Sequence, residues 1–300
     1  MGLLGETKPV KKPILGVSLY PEQESMEEIE NYLTMASRYG FTKIFTSMFS
    51  VPGTKEEVFD YFKNFCDLAH KHGMKVSGDC NTAFFKKMGA SESDISIFKE
   101  MGIDIIRMDL PYFDQRDVTL INNPYNITIE LSSCMIQAVR MALENGANPK
   151  NFSTCHNFYP ERYTASDLES IRSVNKELAT LGIPSAVFIS SNEDNTHGPW
   201  PVHDGLPTVE DHRWIPAELQ VRHWIAVGDV DEIIFGNAFA SEEEFKAIDQ
   251  VMNQAYVNIP KLVGQDYLAE LLPHGNVERV PFKVVLDDGV TDLEKEIVFD

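Results

Sequence analysis

Short, β-rich apolar runs alternate with longer amphipathic stretches along most of this chain. Runs at 14–20, 42–48, 75–80, 104–110, 126–132, 151–157, 185–191 and 230–236 read as strands. Between them apolar residues recur at spacings of three and four, as in Phe59, Phe62, Cys66, Ala69 and in Leu168, Ile171, Val174, Leu178, Leu181. That spacing puts one buried stripe on a helix. Several helices open with a hydroxyl and an acid three residues on: Ser25 with Glu28, Thr54 with Glu57, Ser166 with Glu169, Ser241 with Glu244. The hydroxyl satisfies an orphan backbone N–H and the acid suits the positive helix end. Gly40, Gly73, Gly102, Gly146 and Gly182 stand where a helix must stop before the next strand.

Eight strand–helix units in about 240 residues meet the requirement of a (β/α)8 TIM barrel, whose parallel neighbours need helical crossovers. An open, doubly wound sheet alternates in the same way. The first strand, however, lacks a G-x-G-x-x-G turn, and no Walker A sequence occurs, so the closed barrel is the better reading and no nucleotide cofactor is expected. The rhythm stops after Ala255. Pro260, Pro273 and Gly275-Asn276 follow, then 280–286 and 296–298 as short strands around Asp287-Asp288-Gly289, a hairpin pattern. The expected organisation is a barrel over 14–256 and a short, incomplete β-rich C-terminal segment over 257–300.

Composition narrows the partners more than the fold. Hydrophobic content of 43% and charged content of 24% are ordinary globular values and exclude disordered, collagenous and coiled-coil classes. The 46 acidic residues outnumber 26 basic ones, for a formal charge of -20. That field repels nucleic acid and anionic membranes, so neither is an expected partner, and an anionic ligand needs local basic groups to bind. Cys66, Cys80, Cys134 and Cys155 show no metal or redox spacing and read as idle thiols of a reducing compartment. No signal-peptide apolar region is present and no apolar run approaches ~18 residues, so a cytoplasmic location is expected. Oligomeric state is left open.

In a barrel the chemistry gathers at the C-terminal strand ends. Here those ends carry Tyr20, Asp79, Arg107, Asp109, Glu130, His156, Asn157, Tyr159 and Asn237. Three carboxylates, Asp79, Asp109 and Glu130, close the third, fourth and fifth strands. Neighbouring strands lie about 4.8 Å apart, so such acids can flank one bond. Glycosidic cleavage uses a pair of that kind, and like charges crowded together split their pKa values into an acid and a base. The competing reading pairs Asp109 with Arg107, two residues away on the same face. A second alternative is a divalent-metal cage of Asp79, Asp109 and Glu130 with His156, as in a barrel lyase or aldolase; no H-x-H or H-E-x-x-H spacing supports it, and no metal is expected. The long loop over 192–214 reads as a binding wall, with Trp200 as a face for a sugar ring; Glu210 instead caps or solvates the next helix.

These motifs also carry a resemblance. Gly16-Val17-Ser18-Leu19-Tyr20-Pro21, Ile106-Arg107-Met108-Asp109, Asn122-Asn123-Pro124-Tyr125, Ile129-Glu130-Leu131, Cys155 to Pro160, Asp204-Gly205-Leu206-Pro207-Thr208, His212-Arg213 and Gly236-Asn237-Ala238 follow in order along the barrel region. Together they resemble the MupG-like 6-phospho-N-acetylmuramidases. The resemblance implies a TIM barrel followed by a cyclophilin-like β domain, of which 257–300 would be a truncated start. It implies a cytoplasmic glycosidase of cell-wall sugar recycling that cleaves an N-acetylmuramic acid 6-phosphate–N-acetylglucosamine disaccharide. Asp109 and Glu130 lie inside the matched motifs and are the expected catalytic pair, with Asp79 third. Tyr20, Arg107, His156, Asn157, Tyr159, Trp200 and Asn237 are the expected sugar contacts. The alternative from another class is a catalytically impaired sugar-phosphate binding or regulatory protein.

Overall fold

The computed structural model describes residues 12–21, 23–49, 51–199 and 204–262, the last of these (254–262) as helical backbone. Trp200 and the hairpin expected around 287–289 lie outside the described residues.

Eight parallel strands close in sequence order into a barrel. They are β1 (Ile14–Leu19), β2 (Phe41–Ser47), β3 (Lys75–Cys80), β4 (Ile105–Met108), β5 (Thr128–Ser132), β6 (Phe152–Cys155), β7 (Ser185–Ile189) and β8 (Glu232–Phe235). The helices between them are α1 (Met26–Arg38), α2 (Lys55–Lys71), α3 (Thr82–Met88), α4 (Ser96–Met101), α5 (Gln115–Ile121), α6 (Ile136–Glu144), α7 (Leu168–Leu181), α8 (Ala217–Val227) and α9 (Glu242–Leu262). This is the (β/α)8 TIM barrel that the alternation predicts. The β3–β4 crossover is split into two helices, and α9 runs past residue 256, where the sequence pattern ends the barrel. No helix among the described residues is long and apolar enough to cross a membrane.

Local signals explain most boundaries. Ser25/Glu28 and Thr54/Glu57 form reciprocal capping boxes at the starts of α1 and α2, and Ser241 and Glu244 exchange the same two bonds before α9. Ser166 does not cap α7. Its backbone is drawn into pairing with the β7 loop, through Ser166 N–H to Thr208 O and Glu210 N–H to Ser166 O, so Asp167 takes the cap and accepts from Ser170 N.

Two apolar layers result. The larger lies between the outward strand faces and the helices. The smaller fills part of the barrel with Tyr20, Phe45, Cys155, Ala186, Phe188, Ile234 and Ala238. The β1–β8 ladder is short, pairing Ile14, Leu15 and Gly16 with Glu232, Ile233 and Ile234. Above it side chains complete the seam, with Ser18 Oγ donating to Phe235 O at 2.6 Å and the Tyr20 hydroxyl donating to Gly236 O. At Gly236 a Cβ would stand 2.4 Å from Leu206 O, so only glycine lets the returning β7 loop lie against the end of β8.

Candidate active site

The other part of the barrel interior is polar. Strand pairing sets Ser47, Asp79, Arg107, Glu130 and Ser153 side by side across β2 to β6. Strands in a closed barrel are tilted and staggered, so a row followed across the sheet changes depth. Asp79 and Arg107 each stand one residue from the end of their strand, Glu130 two, and Ser153 near the start of β6. The row therefore sinks from the C-terminal mouth into the interior.

Glu130 is at the deep end and fully buried. Its carboxylate accepts from Lys43 Nζ at 2.9 Å, and the Ser77 and Ser153 hydroxyls donate to it at 3.3 and 3.4 Å. Lys43 also binds Glu232, at 2.5 Å. Burial works against the charge on Lys43, but the two carboxylates outweigh it and hold its pKa above the ordinary lysine value. Expected as one of the catalytic pair, Glu130 instead stands below the mouth, inside an ion cluster.

At the mouth the competing reading, a pair of Arg107 with Asp109, gives way to another partnership. Arg107 Nη1 donates to Asp79 Oδ1 at 2.8 Å, and Nη2 donates to Asn157 Oδ1 at 2.6 Å. Ser132 Oγ donates to the same Asn157 oxygen at 3.1 Å. The guanidinium also lies 5.9 Å from the centre of the Phe45 ring. Burial raises the Asp79 pKa above the usual carboxylate value; Arg107 opposes this, and the negative charges of Asp109 and Glu130 add to it. Asp109 follows β4 and is exposed, its backbone N–H bonded to Cys80 O. The mouth thus joins a buried carboxyl group, that of Asp79, to an exposed one, that of Asp109, with Arg107 and Asn157 beside them.

The remaining expected contacts divide. Tyr159 is half-buried on the same wall as Asn157. The Tyr20 hydroxyl is engaged in the barrel seam. Asn237 fastens the β7 loop: its amide donates to Ser191 O and Thr196 Oγ1 at 2.9 and 2.7 Å and accepts from Ser191 N at 2.8 Å. His156 points away from the mouth. Strand alternation sends Cys155 inward and His156 outward to α7, where Nε2 meets Asn175 Oδ1 at 2.8 Å. Burial there depresses its pKa to about 4, leaving the imidazole neutral. The cage of three acids with His156 is therefore not assembled, and no group of three or more His, Cys, Asp or Glu among the described residues is arranged to hold a metal ion.

Several site-shaping residues carried weak sequence signals. Lys43 stands within the apolar run Phe41-Thr42-Lys43-Ile44-Phe45, where a charge demands a buried partner. Glu24, nearly buried, accepts from Tyr20 N at 3.1 Å and pairs with His197 at 2.7 Å, tying the β1 and β7 loops together. Glu210 does more than solvate a helix. It pairs with Arg213 and accepts backbone N–H groups of Tyr163 and Ala165.

A family model described as the N-terminal part of 6-phospho-N-acetylmuramidase matches residues 15–250. Among solved structures, an uncharacterized B. cereus protein is 36% identical over 79% of this chain, with a TM-score of 0.71. A conserved protein of unknown function from Enterococcus faecalis is 22% identical over 80% of the chain, with a TM-score of 0.69. The chain spans 65% of the length of each. A truncated 3-deoxy-D-arabino-heptulosonate 7-phosphate synthase from Thermotoga maritima, 16% identical over 87% of this chain and 92% of its own, shares the barrel at a TM-score of 0.51. A comparison with curated protein sequences found no match.

Proposed function

The chain belongs to the 6-phospho-N-acetylmuramidase family by its N-terminal domain, and from that premise we propose that it hydrolyses the glycosidic bond of an N-acetylmuramic acid 6-phosphate–N-acetylglucosamine disaccharide. The observation that carries this reading is the unlike pair of acids at the ends of adjacent strands: Asp79 buried with a raised pKa, Asp109 exposed. Such a difference in environment is how two neighbouring carboxyls come to divide the roles of general acid and of base or nucleophile. Asp79 stands opposite Arg107, so Asp109 is two residues further along the neighbouring chain segment, just past the end of β4. Strand spacing and rise put the two Cα atoms about 8 Å apart, and side chains from there reach across one glycosidic bond. Asp79 is the acid that protonates the leaving oxygen, and Asp109 is the base or nucleophile. Arg107 orients Asp79, and Asn157 and Tyr159 line the sugar.

Purified protein incubated with the phosphorylated disaccharide should release the two monosaccharides, and much more slowly from the unphosphorylated disaccharide. Tight binding without release would replace this reading with that of a sugar-phosphate binding protein.

The pH profile offers a finer test. A general acid is active in its protonated form, so the alkaline limb of kcat/KM marks the Asp79 pKa. Arg107 holds that pKa down against burial. Arg107→Gln removes the restraint and should move the alkaline limb to higher pH. A limb that stays in place, or moves to lower pH, assigns it to another group.

A further inference from the structure

Among the described residues, five that are not glycine stand in the left-handed backbone region, and four of them are aromatic: Phe113 (φ 56), Tyr163 (φ 66), Trp214 (φ 62) and Phe239 (φ 65). All four lie in loops that follow strands β4, β6, β7 and β8, and so at the C-terminal mouth. The fifth, Asn126, belongs to a residue type that tolerates this conformation and precedes β5 at the opposite end. For a bulky side chain the conformation is unfavourable and persists only where the surroundings over-determine it.

The surroundings of Tyr163 and Trp214 do so. Glu210 accepts from Tyr163 N at 2.8 Å and from Ala165 N at 3.1 Å, and Arg213 grips the same carboxylate through Nε and Nη2 at 2.7 and 2.8 Å. The third nitrogen of Arg213, a buried residue, donates to Tyr159 O and Asp204 O at 3.1 and 2.9 Å. Arg162 then pairs with Asp204 at 3.1 and 2.9 Å, and its guanidinium lies 5.2 Å from the centre of the Trp214 ring. An ion pair with a buried guanidinium and a half-buried carboxylate thus joins the β6 and β7 loops. What the joined loops present is two aromatic side chains held out of the core, Trp214 53% exposed and Tyr163 85% exposed.

We propose that Trp214 and Tyr163 form an outer carbohydrate subsite on the β6–β7 wall, taking the pyranose ring next beyond those at Asp79, Arg107 and Asn157; this rests on the reading of the mouth as a glycan site. The chain from Asn157 through half-buried Tyr159 to Tyr163 leads outward from the mouth to this platform. A pyranose has an apolar face of C–H groups, and the electron-rich face of an indole or phenol ring complements it while the sugar hydroxyls stay at the wet edge. Arg162 against Trp214 fixes the plane of the indole, as a cation over an aromatic face does.

Calorimetric titration of the full chain compares the phosphorylated disaccharide with the trisaccharide carrying one further N-acetylglucosamine at its outer end. The added ring should tighten binding about tenfold, the equivalent of ~1.4 kcal/mol. Trp214→Gly should abolish the gain, and so should Tyr163→Ala in large part, while hydrolysis of the disaccharide is unchanged and Trp214→Phe keeps most of the gain. Glycine suits the left-handed conformation, so Trp214→Gly should retain or raise the thermal midpoint, which separates loss of the platform from loss of the fold. No gain from the third ring in the wild type, or a gain that survives Trp214→Gly, overturns the subsite. If the disaccharide is not cleaved but the N-acetylglucosamine tetramer binds in a Trp214-dependent way, the proposed reaction fails and the subsite stands.

Discussion

Replacing Asp109 by asparagine is expected to lower kcat for the phosphorylated disaccharide by about 10²–10⁴-fold, the usual worth of a positioned acid–base group, with the thermal midpoint nearly unchanged. Asp109 is exposed, and no ion pair with a described residue holds it in the way Lys43 holds Glu130, so its removal touches chemistry more than packing. Asp79→Asn should show a loss of similar size on the natural disaccharide but a much smaller one on an aryl glycoside. A phenolate departs with little need of a proton, whereas a sugar hydroxyl departs poorly without one. Measuring both variants on both substrates therefore separates acid from base. Turnover within tenfold of wild type for Asp109→Asn would remove that residue from the mechanism, and equal losses of Asp79→Asn on both substrates would remove the assignment of Asp79 as acid.

The largest stability effect belongs to Lys43. Its ammonium sits between Glu130 and Glu232, with its own side chain 3% exposed and theirs 1% and 15%. Lys43→Met leaves two carboxylates facing each other without a countercharge, and breaking a buried pair in this manner costs about 3–5 kcal/mol. At roughly 2–4 °C per kcal/mol for a domain of this size, the melting temperature should fall by about 10 °C. An unpaired buried carboxylate has a raised pKa, so the deficit should shrink as pH falls and the acids take up protons. Lys43→Met combined with Glu130→Gln and Glu232→Gln should recover much of the loss, because no charge then remains buried. Equal melting temperatures for wild type and Lys43→Met across pH would show that the cluster contributes nothing to the fold.

Most strands are legible in the sequence because β2, β3, β4, β6, β7 and β8 are short apolar runs that each follow a helix closed by a glycine, and β3 begins and ends where its run does. The mouth was legible as a set of positions but less so as a set of partners. Arg107 and Asp109 share a face, yet Arg107 reaches sideways to Asp79, since adjacent strands bring their residues into register regardless of distance along the chain. Glu130 read as a mouth residue because its depth follows from the stagger of the closed sheet, which no single strand reveals. His156 and Asn157 both read as site residues, yet neighbours in an extended chain face opposite ways; Asn157 meets Arg107 and His156 meets α7. The place of Lys43 is not legible in the sequence because its partners lie 87 and 189 residues away. Trp214 stayed hidden in a loop whose shape depends on the Glu210–Arg213 brace between two crossovers.

The seam that joins the first strand to the last also sets a timetable for the nascent chain. Ser18 and Tyr20 complete their bonds only with residues 217 and 216 positions later. At about 5–20 residues per second, ribosomal synthesis leaves roughly 10–40 s between the emergence of one side and of the other. Throughout that interval the outer edge of β1 is an open strand, a template for pairing with another chain. Contacts this remote also slow closure once the chain is complete. Aggregation during expression should therefore depend on how quickly β8 arrives, with codon changes that slow translation before residue 232 lowering the yield of active protein while leaving the finished barrel as stable as before.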